Sequence, residues 1–142
     1  ISVQTAQGRV SKLYLLDTNT IVYFFKGSGN VAKVLFSKSP KDIAVSTITL
    51  YELEVGIAKL NNPEQRNKQL KLFVSHITIY PFTSKEAEYS AKIRAEQESK
   101  GTPIGPLDNL IAGTALCNNA VLVTHNTKEF CRIEGLTVED WS

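Results

Sequence analysis

The chain has 142 residues, of which 42% are hydrophobic and 21% charged, with a formal net charge of +2 at pH 7. This profile predicts one globular domain, excludes a largely disordered chain, and by itself gives no sign of a nucleic acid partner. No apolar run approaches the roughly 18 residues that span a membrane, and no secretory signal is present, so we expect a cytoplasmic protein with no membrane partner.

The first eleven residues differ from the rest of the chain. Residues 1–11 are mostly small or polar and show no hydrophobic period. We expect them to be a flexible leader or a remnant of cloning. The globular domain is therefore expected to comprise residues 12–142.

Short apolar runs alternate with amphipathic stretches along the remaining sequence. The apolar runs predict four buried strands and a weak edge strand, at 12–16, 42–46, 77–80, 120–124 and 136–138. The stretches between them predict helices at 20–26, 31–38, 49–60, 64–75, 84–99 and 108–119, and a helical turn at 128–130. Two helices are expected to start with capping boxes, formed by Thr49 with Glu52 and by Thr83 with Glu86.

This alternation of strands and helices determines the predicted fold class. Strands that alternate with helices from end to end are typical of α/β proteins with a parallel sheet. We therefore predict a three-layer α/β/α sandwich with a mainly parallel sheet of four to five strands and with helices on both faces.

Four polar residues are predicted to meet at one edge of this sheet. Asp17 ends the first strand, and Asn126 follows the fourth. Glu52 and Asp108 lie in the first turns of two helices. Ligands of open parallel sheets bind outside the carboxyl ends of the strands, so all four side chains are expected to reach one crevice.

The chemistry of this constellation points to a metal site. Clustered carboxylates repel one another, and a cation among them relieves that repulsion. Carboxylate and amide oxygens suit Mg²⁺, with Mn²⁺ as a substitute, and such a site can activate water for attack on a phosphodiester. Each residue alone also fits a structural role, as a helix cap, a capping-box member, a first-turn anion or a turn residue. Together on one edge they favour a metal-dependent nuclease.

Four stretches of the chain resemble a known family. LLDTNTIVYFF, STITLYELEVGIAKL, GTPIGPLDNLIAGTAL and VTHNTKEFCRIEGLTVEDW are similar, in this order, to the successive motifs of PIN-domain ribonucleases. Within that family they resemble the VapC toxins of bacterial type II toxin–antitoxin systems. The resemblance runs from about Leu13 to Trp141 and implies a PIN-like fold.

The resemblance implies a Mg²⁺-dependent endoribonuclease and a role for each matching residue. Asp17, Glu52 and Asp108 match the three principal acids of the family and would hold the metal. Asn126 stands where many relatives carry a fourth acid. Two hydroxyl residues match positions that line the family's substrate pocket, namely Thr18 and Thr124.

The resemblance also implies partners. Members of this branch cut transfer RNA, pair with a VapB-like antitoxin and form homodimers. Among several basic residues, Arg94 is the one that we expect to contact RNA. The antitoxin is expected in an apolar groove, because a helix cannot turn three consecutive aromatic residues inward. The groove is predicted to comprise Tyr23, Phe24, Phe25, Phe36 and Leu53. The alternative is that these aromatic residues pack against the sheet from both sides of a short helix.

Three other functions compete with this interpretation. A phosphorylated receiver domain would need an acidic pair after the first strand and an aspartate ending the third, where this chain has Tyr80-Pro81. A catalytically silent PIN-like module that binds nucleic acid or a protein partner stays open. So does a PIN-like nuclease that prefers DNA.

Overall fold

The computed structural model describes residues 3–4 and 10–142, with side chains from Lys12 onward. Strands β1 (Val3–Gln4) and β2 (Val10–Ser11) form a separate antiparallel pair. The predicted leader at 1–11 falls largely on residues 1–2 and 5–9, which lie outside the described residues. Its flexibility stays a prediction.

Five strands form the central sheet, and every neighbouring pair is parallel. In chain order they are β3 (Tyr14–Leu16), β4 (Ile43–Ser46), β5 (Thr78–Tyr80), β6 (Val121–Val123) and β7 (Val138–Glu139). The spatial order is β5-β4-β3-β6-β7. The chain therefore extends the sheet in one direction from β3 and then in the other, so that β3 and β6 border the point where the winding reverses.

Seven helices and one short turn connect these strands in the described part of the chain. The helices are α1 (Thr18–Lys26), α2 (Val31–Phe36), α3 (Thr47–Ala58), α4 (Glu64–Val74), α5 (Ser84–Ser99), α6 (Pro106–Cys117) and α7 (Thr127–Phe130). A 3-10 turn covers Pro40–Asp42. None of the helices in the described ranges is both long and apolar enough to cross a membrane.

Side chains from the central strands alternate between two hydrophobic cores. Leu16 and Val123 face a core shared with α1 to α4, whereas Leu15 and Leu122 face a core shared with α5 to α7. Successive residues of a strand point to opposite faces of a sheet, so each strand contributes to both cores. The predicted three-layer α/β/α sandwich is confirmed.

The two predicted capping boxes have different outcomes. The box at Thr49 and Glu52 is wrong, because Ser46 at the end of β4 caps α3 by accepting a hydrogen bond from the N–H of Thr49 at 3.0 Å. The helix therefore begins at Thr47, two residues earlier than predicted. The box at Thr83 and Glu86 is confirmed.

The buried carboxylate of Glu86 links the start of α5 to the end of α6. It accepts from the backbone of Thr83 at 2.8 Å and from the amide of Asn118 at 3.1 Å. Burial acts to raise the pKa of Glu86, but these hydrogen bonds outweigh it and lower the pKa to about 2. The carboxylate is therefore charged at neutral pH and fixes the ends of both helices.

An apolar groove of about 540 Å³ opens between α1, α2 and α4. It is lined mainly by aromatic and aliphatic side chains, among them Phe24, Phe25, Phe36, Leu72 and Phe73. Two of these are strongly exposed, Phe36 at 77% and Leu72 at 65%. An apolar surface of this kind is typical of a protein interface.

The groove differs from its prediction in two members. Leu53 belongs to the buried core, because α3 turns it toward the sheet. Tyr23 packs edge-on against His125, with ring centroids 6.0 Å apart, and does not line the groove. Residues of α4 take their places, which the sequence pattern of α1 alone does not indicate.

Helices α5 and α6 cross at their closest where Gly113 faces Ser90. A Cβ atom built on Gly113 would lie 2.9 Å from the Cα atom of Ser90 and closer still to its side chain. Beside this contact, the Asn109 amide donates to the carbonyl of Ser90 at 2.9 Å. Because α6 carries Asp108, this crossing sets the position of one predicted catalytic acid.

We expect Gly113→Ala to destabilise the fold by about 1–3 kcal/mol, since the added methyl group would force the two helices apart. Gly56→Ala is the matched control in α3, because nothing lies within 4 Å of its Cβ position. That control should stabilise the protein by about 0.5–1 kcal/mol through its helix propensity. Urea unfolding measures both changes, and equal effects of the two substitutions would contradict the close-crossing argument.

Candidate active site

Asp17 lies directly after β3 and is held by the backbone on two sides. Its N–H donates to the carbonyl of Val123 at 3.0 Å, which ties it to the end of β6. Its Oδ1 accepts from the N–H of Thr20 at 2.9 Å, so the side chain also caps α1. The carboxylate is buried and fixed at the point where the winding of the sheet reverses.

Glu52 reaches the same edge from the second turn of α3. Its Oε1 accepts a hydrogen bond from the hydroxyl of Thr18 at 2.6 Å. Thr18 is the first residue of α1, so this bond links the start of α1 to α3. The hydroxyl group that the sequence placed in the substrate pocket therefore orients an acidic side chain.

Asp108 is the third residue of α6 and is half-buried. Burial raises its pKa, and the negative charges of three further acids, Glu129, Asp17 and Glu52, raise it to about 6. Charges influence one another in this way over short distances, so Asp17, Glu52 and Glu129 lie near Asp108. The structure thus brings the three predicted acids together at one edge of the sheet.

Glu129 is a fourth acid of this pocket, which sequence reasoning missed. It lies in α7, and among the charged groups that act on Asp108 it has the largest effect. Its Oε1 atom is buried and has no hydrogen-bond partner among the residues that the structure describes. The sequence does contain a sign of this acid, because Glu129 is the acidic residue of the NTKEF stretch. A glutamate at the start of a short helix also fits a structural role, however, so the stretch alone does not assign it to the pocket.

The remaining predicted residues lie around the pocket with other contacts. Thr124 is buried, and its hydroxyl oxygen accepts from the N–H of Asn126 at 3.0 Å, which shapes the turn into α7. The Asn126 side chain is exposed. Arg94 forms an ion pair with Glu98 at 3.0 Å on the exposed face of α5. The roles predicted for these residues in substrate contact and catalysis stay predictions.

The acidic pocket, defined here as Asp17, Glu52, Asp108 and Glu129, fits a divalent cation by its charge. Four carboxylates with one buried oxygen left unpaired strongly favour a positive ion. Within the described ranges, no three His, Cys, Asp or Glu side chains are arranged to hold a metal by themselves. Mg²⁺ often keeps several waters and binds through one or two carboxylates together with substrate phosphate, so it does not require three such side chains.

Comparison with known proteins gives consistent matches. Residues 14–136 match the PIN domain family. The chain is 37% identical over 128 residues to the tRNA(fMet)-specific endonuclease VapC of Salmonella typhimurium, covering 90% of this chain and 97% of that protein. It is 40% identical over 133 residues to ribonuclease VapC2 of Rickettsia felis, covering 91% of this chain and 98% of that protein.

Solved structures agree with these sequence matches. VapBC2 from Rickettsia felis bound to a promoter DNA fragment superposes with a TM-score of 0.85 at 39% identity, covering 92% of this chain and 99% of that chain. VapBC-1 from nontypeable Haemophilus influenzae gives 0.81 at 34% identity, covering 91% and 98%. The similarity extends over the strands and helices that carry the acidic pocket.

The raised pKa of Asp108 predicts a stabilising substitution. In the unfolded chain this carboxyl ionises near its ordinary pKa of 3.8, and in the folded protein near 6. Well below pH 3.8 it is protonated in both states, and as the pH rises from there to above 6 its ionisation increasingly opposes folding. With metal removed by EDTA, Asp108→Asn should therefore gain on the order of 1 kcal/mol at pH 8, after allowance for partial exposure.

Thermal melting at pH 4 and pH 8 measures this effect, and the gain should be a few degrees at pH 8 and much smaller at pH 4. Glu64→Gln is the matched control, since it removes an exposed first-turn carboxylate from α4. That control should lose a few tenths of a kcal/mol. A gain for Asp108→Asn that is the same at both pH values would contradict the assigned cause.

Proposed function

Because the chain belongs to the PIN-domain family and, within it, to the VapC ribonucleases, we propose that it cleaves transfer RNA in a Mg²⁺-dependent reaction and is neutralised by a VapB-like antitoxin. Its membership makes it an endoribonuclease. The observation that supports the metal-dependent reaction is the placement of Asp17, Glu52, Asp108 and Glu129 near one another at the carboxyl edge of the sheet, where their charges act on Asp108.

Of Asp17, Asp108 and Glu52, one or two carboxylates would contact the metal directly, and the others, together with Glu129, would accept hydrogen bonds from its bound waters. When bound, Mg²⁺ supplies positive charge that activates water and balances charge on the phosphodiester. Mn²⁺ offers the same preference for oxygen ligands and is proposed as a substitute. The unpaired Oε1 of Glu129 supports its inclusion.

The protein's own residues fix the geometry of the reaction. The bonds of Asp17 to Val123 and Thr20 hold its carboxylate at the end of β3. Thr18 holds one oxygen of Glu52, so the other oxygen is left to orient the attacking water. Asn126 is proposed to hold a second water at the exposed rim. Attack of water on phosphorus would leave a 5′-phosphate and a 3′-hydroxyl.

Substitution of the acids tests this mechanism, and Asp17 needs two variants because it is also a helix cap. Asp17→Asn keeps a capping oxygen and should lose cleavage at near wild-type stability, whereas Asp17→Ala should lose cleavage and about 1 kcal/mol of stability. Glu129→Gln should lower kcat by at least tenfold. Cleavage of a labelled RNA, with Mg²⁺ and then excess EDTA, measures activity.

The exposed surface of α5 provides the control for these variants. Lys100→Ala removes a solvent-exposed ion pair with Glu96 and should cleave RNA at the wild-type rate. Wild-type cleavage by Asp17→Asn, or undiminished cleavage in EDTA, would overturn the proposed mechanism.

Transfer RNA is the proposed substrate because the Salmonella relative is named as specific for tRNA(fMet). In the cleavage assay, a tRNA should be cut faster than messenger RNA fragments or single-stranded DNA of equal length. Equal rates on all three would replace the tRNA proposal with a general nuclease. We place the reaction in the cytoplasm, where tRNA is available.

The apolar groove is the proposed antitoxin site. The solved relatives are named as VapBC toxin–antitoxin complexes, which supports a protein partner for this chain. The exposure of Phe36 and Leu72 supports this surface, because burial of both would stabilise a complex. A homodimer is proposed as well, through Tyr51 and Val55, which are exposed one turn apart on α3. The molar mass in solution tests that dimer.

Phe36→Ser should weaken neutralisation by the co-expressed antitoxin at least tenfold while RNA cleavage by the free enzyme stays unchanged, because Phe36 lies outside the acidic pocket. Tyr89→Ser is the control, since Tyr89 is also exposed but lies on α5, at the other face of the sheet. Titration of cleavage with antitoxin measures both variants. A loss of inhibition that is equal for the two would show that the groove is not the docking site.

A further inference from the structure

His125 lies at the carboxyl edge of the sheet, the edge that also carries the acidic pocket. It follows β6 by one residue, and the last residue of that strand, Val123, accepts hydrogen bonds from the N–H of Asp17 and from the hydroxyl of Thr20. His125 is therefore connected through two peptide units to a residue that positions the first catalytic acid. Asp17 directly follows β3 at the same edge, so RNA bound at the acidic pocket would lie along this edge.

Three contacts hold the imidazole ring in place. Its Nδ1 lies 3.2 Å from Oδ2 of Asp140 and 2.9 Å from Oγ of Ser142. Asp140 directly follows β7, and His125 lies just beyond β6. Because these two strands are neighbours in the sheet, they bring the two side chains together. The ring of Tyr23 packs against the imidazole edge-on. These three contacts give the imidazole ring a fixed orientation.

The hydrogen bonds determine which ring nitrogen carries the proton. The Asp140 carboxylate can only accept. Its Oδ1 takes the hydroxyl hydrogen of Ser142 at 2.6 Å, so the Ser142 oxygen can only accept from the ring. Both neighbours of Nδ1 are thus acceptors, and Nδ1 must be the donor. In the neutral imidazole, Nε2 then carries a lone pair and accepts hydrogen bonds.

This acceptor is presented to solvent. The His125 side chain is 61% exposed despite its three contacts. Its Nε2 has no hydrogen-bond partner among the described residues. The ionised state of Asp140 is supported by its pKa: burial acts to raise it, but hydrogen bonds from Ser142 and His125 lower it overall.

We propose that Nε2 of His125 accepts a hydrogen bond from the ribose 2′-hydroxyl of a nucleotide next to the scissile phosphate, and that it thereby favours RNA over DNA. Phosphate oxygens only accept, so the 2′-hydroxyl is the donor that an RNA backbone offers and a DNA backbone lacks. Asp140 acts as a positioning residue that fixes the tautomer. The proposal rests on the ribonuclease activity of the same site.

A matched series of oligonucleotides tests the proposal. Each carries a single 2′-deoxy substitution at one position around the cleavage site. With the wild-type protein, one substitution should reduce kcat/KM roughly fivefold, the worth of one neutral hydrogen bond. With His125→Ala, the all-ribose substrate should show the same loss, and that 2′-deoxy substitution should cause no further loss. The change should fall mainly on KM, because the bond is already made in the bound substrate.

Two further variants separate substrate contact from a structural role. Asp140→Ala should lower the discrimination between ribose and deoxyribose in part, and should add nothing in the His125→Ala background. His76→Ala is the histidine control, since His76 is exposed just before β5, at the amino-terminal edge of the sheet. It should discriminate as the wild type does. Melting temperatures show whether each variant is folded.

A binding assay keeps this test independent of cleavage. Fluorescence anisotropy measures binding of the same oligonucleotides to the Asp108→Asn variant. Loss of the ribose preference on adding His125→Ala supports the proposal, even if the mechanism proposed above fails. An unchanged ratio of ribose to deoxyribose binding and cleavage in His125→Ala overturns it. Weaker binding to every oligonucleotide by the same factor overturns it too, because it would indicate a contact that does not involve the 2′-hydroxyl.

Discussion

Mutual repulsion among Asp17, Glu52, Asp108 and Glu129 is the constraint around which the rest of this structure is arranged. Like charges at short range disfavour the folded state unless they are fixed by other bonds or compensated by a cation. Hydrogen bonds within the protein fix Asp17 and Glu52, whereas compensation by a cation requires a bound ligand. The pKa of Asp108, at about 6, shows that compensation within the protein is incomplete. A site that opposes folding without its ligand is typical of a site under selection for function.

The four acids lie on different elements of the fold, so their positions are set by separate contacts. Asp17 is held by hydrogen bonds at the end of β3, and Glu52 by Thr18 across two helices. The position of Asp108 depends on the close crossing at Gly113, and behind it the charged Glu86 fixes the end of α6. Hydrogen bonds therefore hold Asp17 and Glu52 in place against this repulsion. This rigidity keeps the pocket in the geometry that a cation and a phosphodiester require.

Much of the fold could be predicted from sequence because strands and helices have different hydrophobic periods. The sequence places Asp17 and Asp108 at the carboxyl edge because each directly borders a recognisable strand or helix. It does not single out Glu129, because a first-turn glutamate has the same local signature whether it stabilises a helix or lines a pocket. The start of α3 differs from its prediction because Ser46 is both the last strand residue and the helix cap. Leu53 lies in the core and not in the groove because the orientation of a helix depends on its tertiary neighbours.

The double role of Asp17 has a consequence for how relatives of this protein evolve. Its carboxylate caps α1 as well as lining the pocket, so a lineage that no longer needs catalysis would still retain a capping residue there, such as aspartate, asparagine or serine. Position 108 is under the opposite pressure, because its charge opposes folding once function is lost. Among homologous sequences, an acid preserved at position 108 is therefore a better indicator of catalytic activity than an acid preserved at position 17.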